Sequence, residues 1–347
     1  MLPFVYLYIY LFFVWLISAF IKSTKQKRLF LCLFGGAGLL FLLGFHSPDL
    51  GTDVYNAYIP YFESASTSIT EEISNERFEP LFAAYVAVIK NVTTNNQVFL
   101  FITALLILCP ILVLIYKHSD NPMMSLIIYA SWVLYHFSFS GIRQAIAVGV
   151  ICIASLYMFK KRLLPFVVCV LIATCIHASA LLFLIAYPMM WAKFSERQWL
   201  VFFLIGGGCM IVFPPLVLLM VNILFPGHYT GYIESVSGGY MFALLYLLIA
   251  LVEVFMHKGK MYQSFAQFTL LLFTLQLTGI YSNVASRIGY YFIPLFLLSL
   301  PAMVENVPNL HLREWMRFGI LGCCIAIYFI TNSGGYLEVI PFKFFWQ

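Results

Sequence analysis

The sequence predicts an all-α fold, a polytopic transmembrane helical bundle with about 12 membrane helices, and three observations predict it. Of the 347 residues 63% are hydrophobic and 10% charged, with a mean hydropathy of +0.94, which excludes a soluble domain. Apolar runs long enough to cross a bilayer recur from end to end. Those runs are apolar on every face, whereas a porin-type barrel would alternate apolar and polar residues over segments of about ten.

The clear spans are Leu2 to Ile21, Leu29 to Phe45, Val98 to Tyr116, Met123 to Phe139, Ile142 to Phe159, Trp199 to Asn222, Tyr240 to Met256, Ser264 to Tyr281, Ile288 to Met303 and Phe318 to Thr331. Leu2 to Ile21 lacks a basic start and a small-residue cleavage site, so it is expected to be a retained span and not a signal peptide.

Two stretches need a further argument. Phe78 to Lys90 is too short to cross, since its helical rise gives about 20 Å against a hydrocarbon core of about 30 Å. Leu163 to Trp191 is too long for one span and is interrupted by Thr174-Cys175-Ile176-His177-Ala178-Ser179. We therefore expect residues 78–90 to form an interfacial helix on the outer face, and residues 163–191 a short broken hairpin turning near His177. With that threading, 14 of the 19 lysines and arginines share one side, in clusters such as Lys22 to Arg28, Lys160 to Arg162 and Arg313 to Arg317. Positive charge marks that side as cytoplasmic and puts both termini outside.

The chain then reads as a single integral membrane domain, 1–347, with an outer loop at 46–96 that contains the interfacial helix. A second outer loop at 223–239 carries Tyr229, Tyr232 and glycines and is expected to act as a lid. Within the first loop, Ser64 to Glu76 is polar and expected to be mobile. All eight cysteines lie in apolar segments with no spacing that pairs them with histidines, so they read as small core residues. No carboxylate cluster suggests a metal and no glycine-rich loop suggests a nucleotide, so neither metal nor cofactor is expected. The net charge of +5 follows from topology and is no evidence for nucleic acid.

This threading puts Asp53, Glu79, Arg143, His177 and Arg287 on, or just beneath, the outer face. Arginine in a membrane segment costs about 2.5–3.5 kcal/mol on insertion scales and marks a site or pathway unless it snorkels. Gln144 beside Arg143 needs a partner too. Arginines with no acidic neighbour in sequence suit the oxygens of a phosphate or diphosphate. The alternative is that Arg143 pairs with Asp53 or Glu79 to hold the bundle together. His177 is open both to proton transfer and to a core role, as a neutral ring bonded to a carbonyl freed by the break. Asp53 and Glu79 are candidate proton acceptors. Asp53 could instead cap a turn, and Glu79-Pro80 resembles a helix start. Tyr55, Asn56 and Tyr58 combine aromatic faces with polar groups and suit sugar rings and hydroxyls.

Taken in order, Gly51-Thr52-Asp53-x-Tyr55, Phe78-Glu79-Pro80-x-Phe82, Ile142-Arg143-Gln144-Ala145-Ile146-Ala147, Lys160-Lys161, Ile176-His177-x-Ser179-Ala180 and Ser286-Arg287-Ile288-x-Tyr290-Tyr291 resemble the EpsG-type family of Wzy polymerases. The likeness covers about residues 45 to 300, with Pro80 a departure that bears on the role of Glu79. It implies a membrane glycosyltransferase of O-antigen and exopolysaccharide assembly in the bacterial inner membrane, with its active site facing the periplasm. Its implied partners are undecaprenyl-diphosphate-linked oligosaccharide repeats, membrane lipids and a chain-length regulator, with no nucleic acid. The growing glycan would pass from its carrier to the non-reducing end of a new repeat. Asp53, Glu79, Arg143, His177 and Arg287 would be catalytic, and Tyr55, Asn56, Tyr58, Gln144, Tyr290 and Tyr291 would bind substrate. A flippase of the same lipid-linked oligosaccharide and a membrane O-acyltransferase are the competing classes; a flippase should show paired repeats, which the sequence lacks.

Overall fold

The computed structural model describes residues 1–195, 197–209, 239–255, 260–277, 287–334 and 336–347. Every regular element among them is helical, and one isolated bridge pairs His46 with Phe344. The main helices are α1 (Leu2–Ser18), α2 (Thr24–Gly44), α3 (Ile59–Ser64), α4 (Ile69–Ser74), α5 (Pro80–Val92), α6 (Asn96–His118), α7 (Pro122–Ser131), α8 (Val133–Phe137), α9 (Ile142–Phe159) and α10 (Leu163–Thr174). They continue with α11 (Ala186–Trp191), α12 (197–209), α13 (Gly239–Phe255), α14 (Lys260–Leu277), α15 (Ile293–Glu305) and α16 (Leu310–Asn332).

Four of these, α2, α6, α9 and α16, are long and apolar enough to cross a membrane. Shorter apolar helices accompany them, so by length and composition four of the described helices are candidates for the about 12 expected spans. The chemistry of the outward faces agrees with a membrane. α1 buries Phe4, Leu7, Leu11 and Val14 yet also exposes Ile9, Phe12 and Phe13, an apolar exterior that water would penalise and lipid tails would not.

The chain forms two compact units, one of Met1–Leu181 with Val304–Gln347 and the other of Leu182–Met303. In the first unit α9 is central: 72% of its residues are buried, the largest share among the four long helices. Its closeness to α6 depends on Gly149, where a Cβ would stand 2.8 Å from the Leu106 carbonyl oxygen. Asn95 starts α6 by accepting from the N–H groups of Gln97 and Val98 at 2.8 and 3.3 Å, satisfying donors that the helix leaves open. The far end of α9 is the basic end of this unit. There the Phe159 ring lies 4.6 Å from that of His118, and the charges of Lys117, Lys160 and Arg28 are all close to His118. Arg28 also donates to the Ser119 carbonyl at 2.7 Å, and Arg317 pairs with Glu305 at 2.6 Å. Arg143 is at the opposite end of α9, about 24 Å from Phe159 by helical rise.

Three sequence expectations change in detail. The span expected from Met123 to Phe139 is broken at Trp132, which is extended, with φ −87° and ψ 158°. Ser131 and Ser138 turn their hydroxyls onto the carbonyls of Ile127 and Leu134, a local competition with the helix ladder. Trp132 is buried in protein, where such a break is tolerated at membrane depth. Second, the polar stretch Ser64 to Glu76, expected to be mobile, contains the ordered turn α4. Ser68 caps it, and the buried Glu72 carboxylate accepts from the Ser66 N–H at 2.9 Å. Third, the span from Ile288 splits into a 3-10 turn, Arg287–Tyr291, and α15. A helix forms where one was expected at 78–90, as α5, and the helix from Leu163 stops at Thr174, before His177. The second outer loop, Tyr229 and Tyr232 included, lies outside the described residues up to Gly239, as does Ser286.

Candidate active site

Gly51 sets the first piece of the site. Its φ of +85° is open to glycine, and a Cβ there would fall 2.1 Å from the Phe139 carbonyl oxygen. This contact lets the chain turn against the entrance to α9, and the Asp53 N–H then donates to Ser140 Oγ at 3.0 Å. Gly51→Ala should therefore lose more than about 1 kcal/mol of stability, read as a lower unfolding temperature in detergent. A Gly51→Ala protein as stable as wild type would contradict the contact.

A π-helical turn, Val54–Tyr58, follows, an irregularity frequent at functional sites. It exposes Tyr55 and sends Tyr58 inward; Asn56 Nδ2 donates to the Thr52 carbonyl at 2.8 Å.

Glu79 is the residue on which the cluster converges. It is the N-cap of α5 with Pro80 at the first helical position, where the fixed proline φ suits a helix start and the dipole favours a carboxylate. The α5 entrance is pinned to the end of α10, because the Leu81 N–H donates to the Cys175 carbonyl at 2.9 Å. That brings Glu79 to the break that carries His177. Glu79 Oε1 accepts from the Ala178 N–H at 3.1 Å, and His177 Nδ1 lies 3.2 Å from the same oxygen at an angle outside hydrogen-bond geometry. Glu79 Oε2 pairs with Arg143 Nη1 at 2.5 Å.

Arg143 is held on three sides. Nε donates to the Tyr58 hydroxyl at 3.2 Å, Nη1 to Glu79, and the guanidinium lies 4.2 Å from the Phe78 ring centre. Its Nη2 makes no hydrogen bond among the described residues, and the side chain is 21% exposed. Of the two carboxylates that the sequence offered as partners for Arg143, the fold selects Glu79. The Asp53 carboxylate makes no hydrogen bond or ion pair among the described residues, although its charge is felt at Tyr58.

Burial pushes the Glu79 carboxyl up, but the His177 ring, the N–H groups of Glu79 and Ala178 and the Arg143 charge outweigh it. They hold it at about 2, against an ordinary 4.5. A carboxylate with so little proton affinity is a poor base at neutral pH and a good fixed anion. Its folded-state value lies below the unfolded one, so its stabilisation is fully present above about pH 4.5 and is lost as pH falls towards 2. Unfolding temperatures of wild type and Glu79→Gln should accordingly differ by a constant gap above about pH 5 that narrows below pH 4.5. A gap that widens with acid would contradict it.

The structure thus brings Glu79, Arg143, His177 and Tyr58 together, with Asp53 anchored two residues after the Gly51 contact. Gln144 is buried in the same helix turn as Arg143. Arg287 opens its 3-10 turn in the second unit, with Tyr290 and Tyr291 buried behind it. Phe78, which stacks on Arg143, and Ser140, which fixes Asp53, were missed as site residues. Their signal was position at an element boundary: Phe78 sits between Arg77 and Glu79, and Ser140 lies three residues before Arg143.

The EpsG family model matches residues 27–344. No curated protein and no solved structure matches the chain.

Proposed function

The chain belongs to the EpsG family, and on that premise we propose that it is a polysaccharide polymerase of the Wzy type. It would transfer a growing glycan from a polyprenyl diphosphate onto the non-reducing end of a lipid-linked repeat unit. The observation that carries the reading is the Arg143 guanidinium, locked by Glu79, Tyr58 and Phe78 with Nη2 left over.

Diphosphate is a good leaving group, so the protein's task is to position two lipid-linked substrates and to stabilise charge on the departing group. In the proposed step the bond from the sugar's anomeric carbon to the diphosphate oxygen breaks, and a bond to the acceptor hydroxyl oxygen forms. The acceptor proton passes to Asp53, whose carboxylate is unengaged, and the diphosphate takes the bonding pair against Arg143. Glu79 is a positioning residue, fixing Arg143 and His177. In this reading His177 gives the diphosphate a proton. Arg287 joins the proposal through its motif. Tyr55 and Asn56, on the exposed part of the π-helical turn, read sugar hydroxyls. The basic end of the first unit would face the cytoplasm and the Arg143 end the periplasm of a bacterial inner membrane.

The test is a gel profile of surface and lipid-linked glycan from cells lacking the protein, complemented with wild type or with Arg287→Ala. The reading expects single repeats on the lipid without the protein, a ladder with wild type, and no ladder with Arg287→Ala. Repeats trapped on the inner leaflet would point to a flippase. An intact ladder missing an acyl group would point to an acyltransferase.

A further inference from the structure

Beside the Glu79 cluster, an apolar groove of about 420 Å³ runs between α4, α5 and α10. This is within the range of small-molecule sites, about 300–1,000 Å³. Ile73 of α4, Leu81 and Ala84 of α5, and Val168, Leu171 and Ile172 of α10 wall it. Pro80 and Cys175 line it too, the one next in sequence to Glu79 and the other two residues before His177.

Two features separate it from ordinary lipid-facing surface. Its third wall is built, since α4 belongs to the outer loop and is held by its Ser68 cap and the buried Glu72. Positive charge also collects around Phe78, two residues before the lining Pro80. Arg77, on the segment joining α4 to α5, stacks on the rings of Tyr61 and Phe78 at 5.2 and 5.6 Å, is exposed, and makes no ion pair among the described residues. Stacking fixes the guanidinium plane and leaves its N–H edge for an anion. The Arg143 guanidinium lies 4.2 Å from the centre of the same Phe78 ring. An apolar groove beside two arginines that share one phenylalanine is complementary to a hydrocarbon chain with a phosphate head, and its apolar lining offers no partner to sugar hydroxyls.

We propose that this groove seats the hydrocarbon chain of a polyprenyl diphosphate carrier, with Arg77 meeting the diphosphate as it enters the Arg143 cluster. The assignment rests on the polymerase reading and adds to it where the carrier lies and which cation receives it first. The chain would hold the reacting carbon at headgroup depth, beside Glu79 and His177, while the glycan extends into the outer loop.

The test uses the full chain in phosphatidylcholine nanodiscs and a short polyprenyl diphosphate with a photoreactive group on its chain. Crosslinks should fall on the peptides around Leu81 to Ala84 and Val168 to Ile172. Excess unlabelled polyprenyl diphosphate should remove them, and the same excess of phosphatidylglycerol should not. Ala84→Trp, which fills the groove, should abolish them, and Leu171→Trp serves if Ala84→Trp does not fold. Arg77→Gln should raise the competitor concentration for half removal about tenfold, the loss of one charge-assisted contact. Crosslinks elsewhere, equal competition by phosphatidylglycerol, or persistence in a folded groove-filled variant would overturn the proposal. These readouts need no glycan transfer: labelling in the groove without a ladder in cells would sink the polymerase reading alone, and a ladder without labelling would sink the groove alone.

Discussion

Arg143→Lys is expected to leave cells with single lipid-linked repeats in place of a ladder, although the charge is kept. Nε and Nη1 are spent on Tyr58 and Glu79, and the flat guanidinium lies over Phe78. An ammonium is a point charge that cannot make those contacts and still present a donor in a fixed direction. Losing one donor of this kind typically costs about 10²–10³ in turnover. The measurement is ladder formation at matched membrane abundance, with the unfolding temperature as control. A normal ladder from Arg143→Lys would mean that Arg143 holds the bundle together through Glu79 and does not act on substrate.

Asp53→Asn is expected to lower turnover by about 10²–10⁴, the usual contribution of a general base, with little change in the concentration of lipid-linked substrate needed. Asparagine keeps the backbone N–H that donates to Ser140, so the turn at Gly51 should survive. Glu79→Gln should behave differently. It removes the anion that faces Arg143 and His177, and should lower both stability and turnover. Its effect should be non-additive with that of Arg143→Lys, by about 0.5–3 kcal/mol for groups in contact. If Glu79→Gln folds normally yet abolishes transfer while Asp53→Asn retains it, the two carboxylates have exchanged the roles proposed here.

The helical class, the α5 segment and the helix break near His177 were legible in the sequence because each is written in local pattern. Apolar runs give helices, Glu79-Pro80 gives a helix start, and polar Thr174 to Ser179 interrupts an apolar run. The partner of Arg143 was not legible. Asp53 and Glu79 are both carboxylates far from Arg143 in sequence, and the choice between them rests on tertiary contacts such as the Leu81 to Cys175 hydrogen bond at the start of α5. The break at Trp132 was hidden for a different reason. Residues 123–139 are apolar enough for one span, and the serine hydroxyls that compete with its ladder occur in many unbroken membrane helices. Order in Ser64 to Glu76 was hidden by composition, because a polar stretch reads as solvated until the buried Glu72 carboxylate is seen accepting a backbone N–H.

The most direct measurement is transfer by the purified protein in proteoliposomes supplied with polyprenyl-diphosphate-linked repeat units and no other protein. The account predicts a ladder of lipid-linked glycans together with release of free polyprenyl diphosphate, one for each bond formed, and neither with Asp53→Asn. Lipid-linked repeats recovered unpolymerised but moved to the other leaflet, with no diphosphate released, would contradict it.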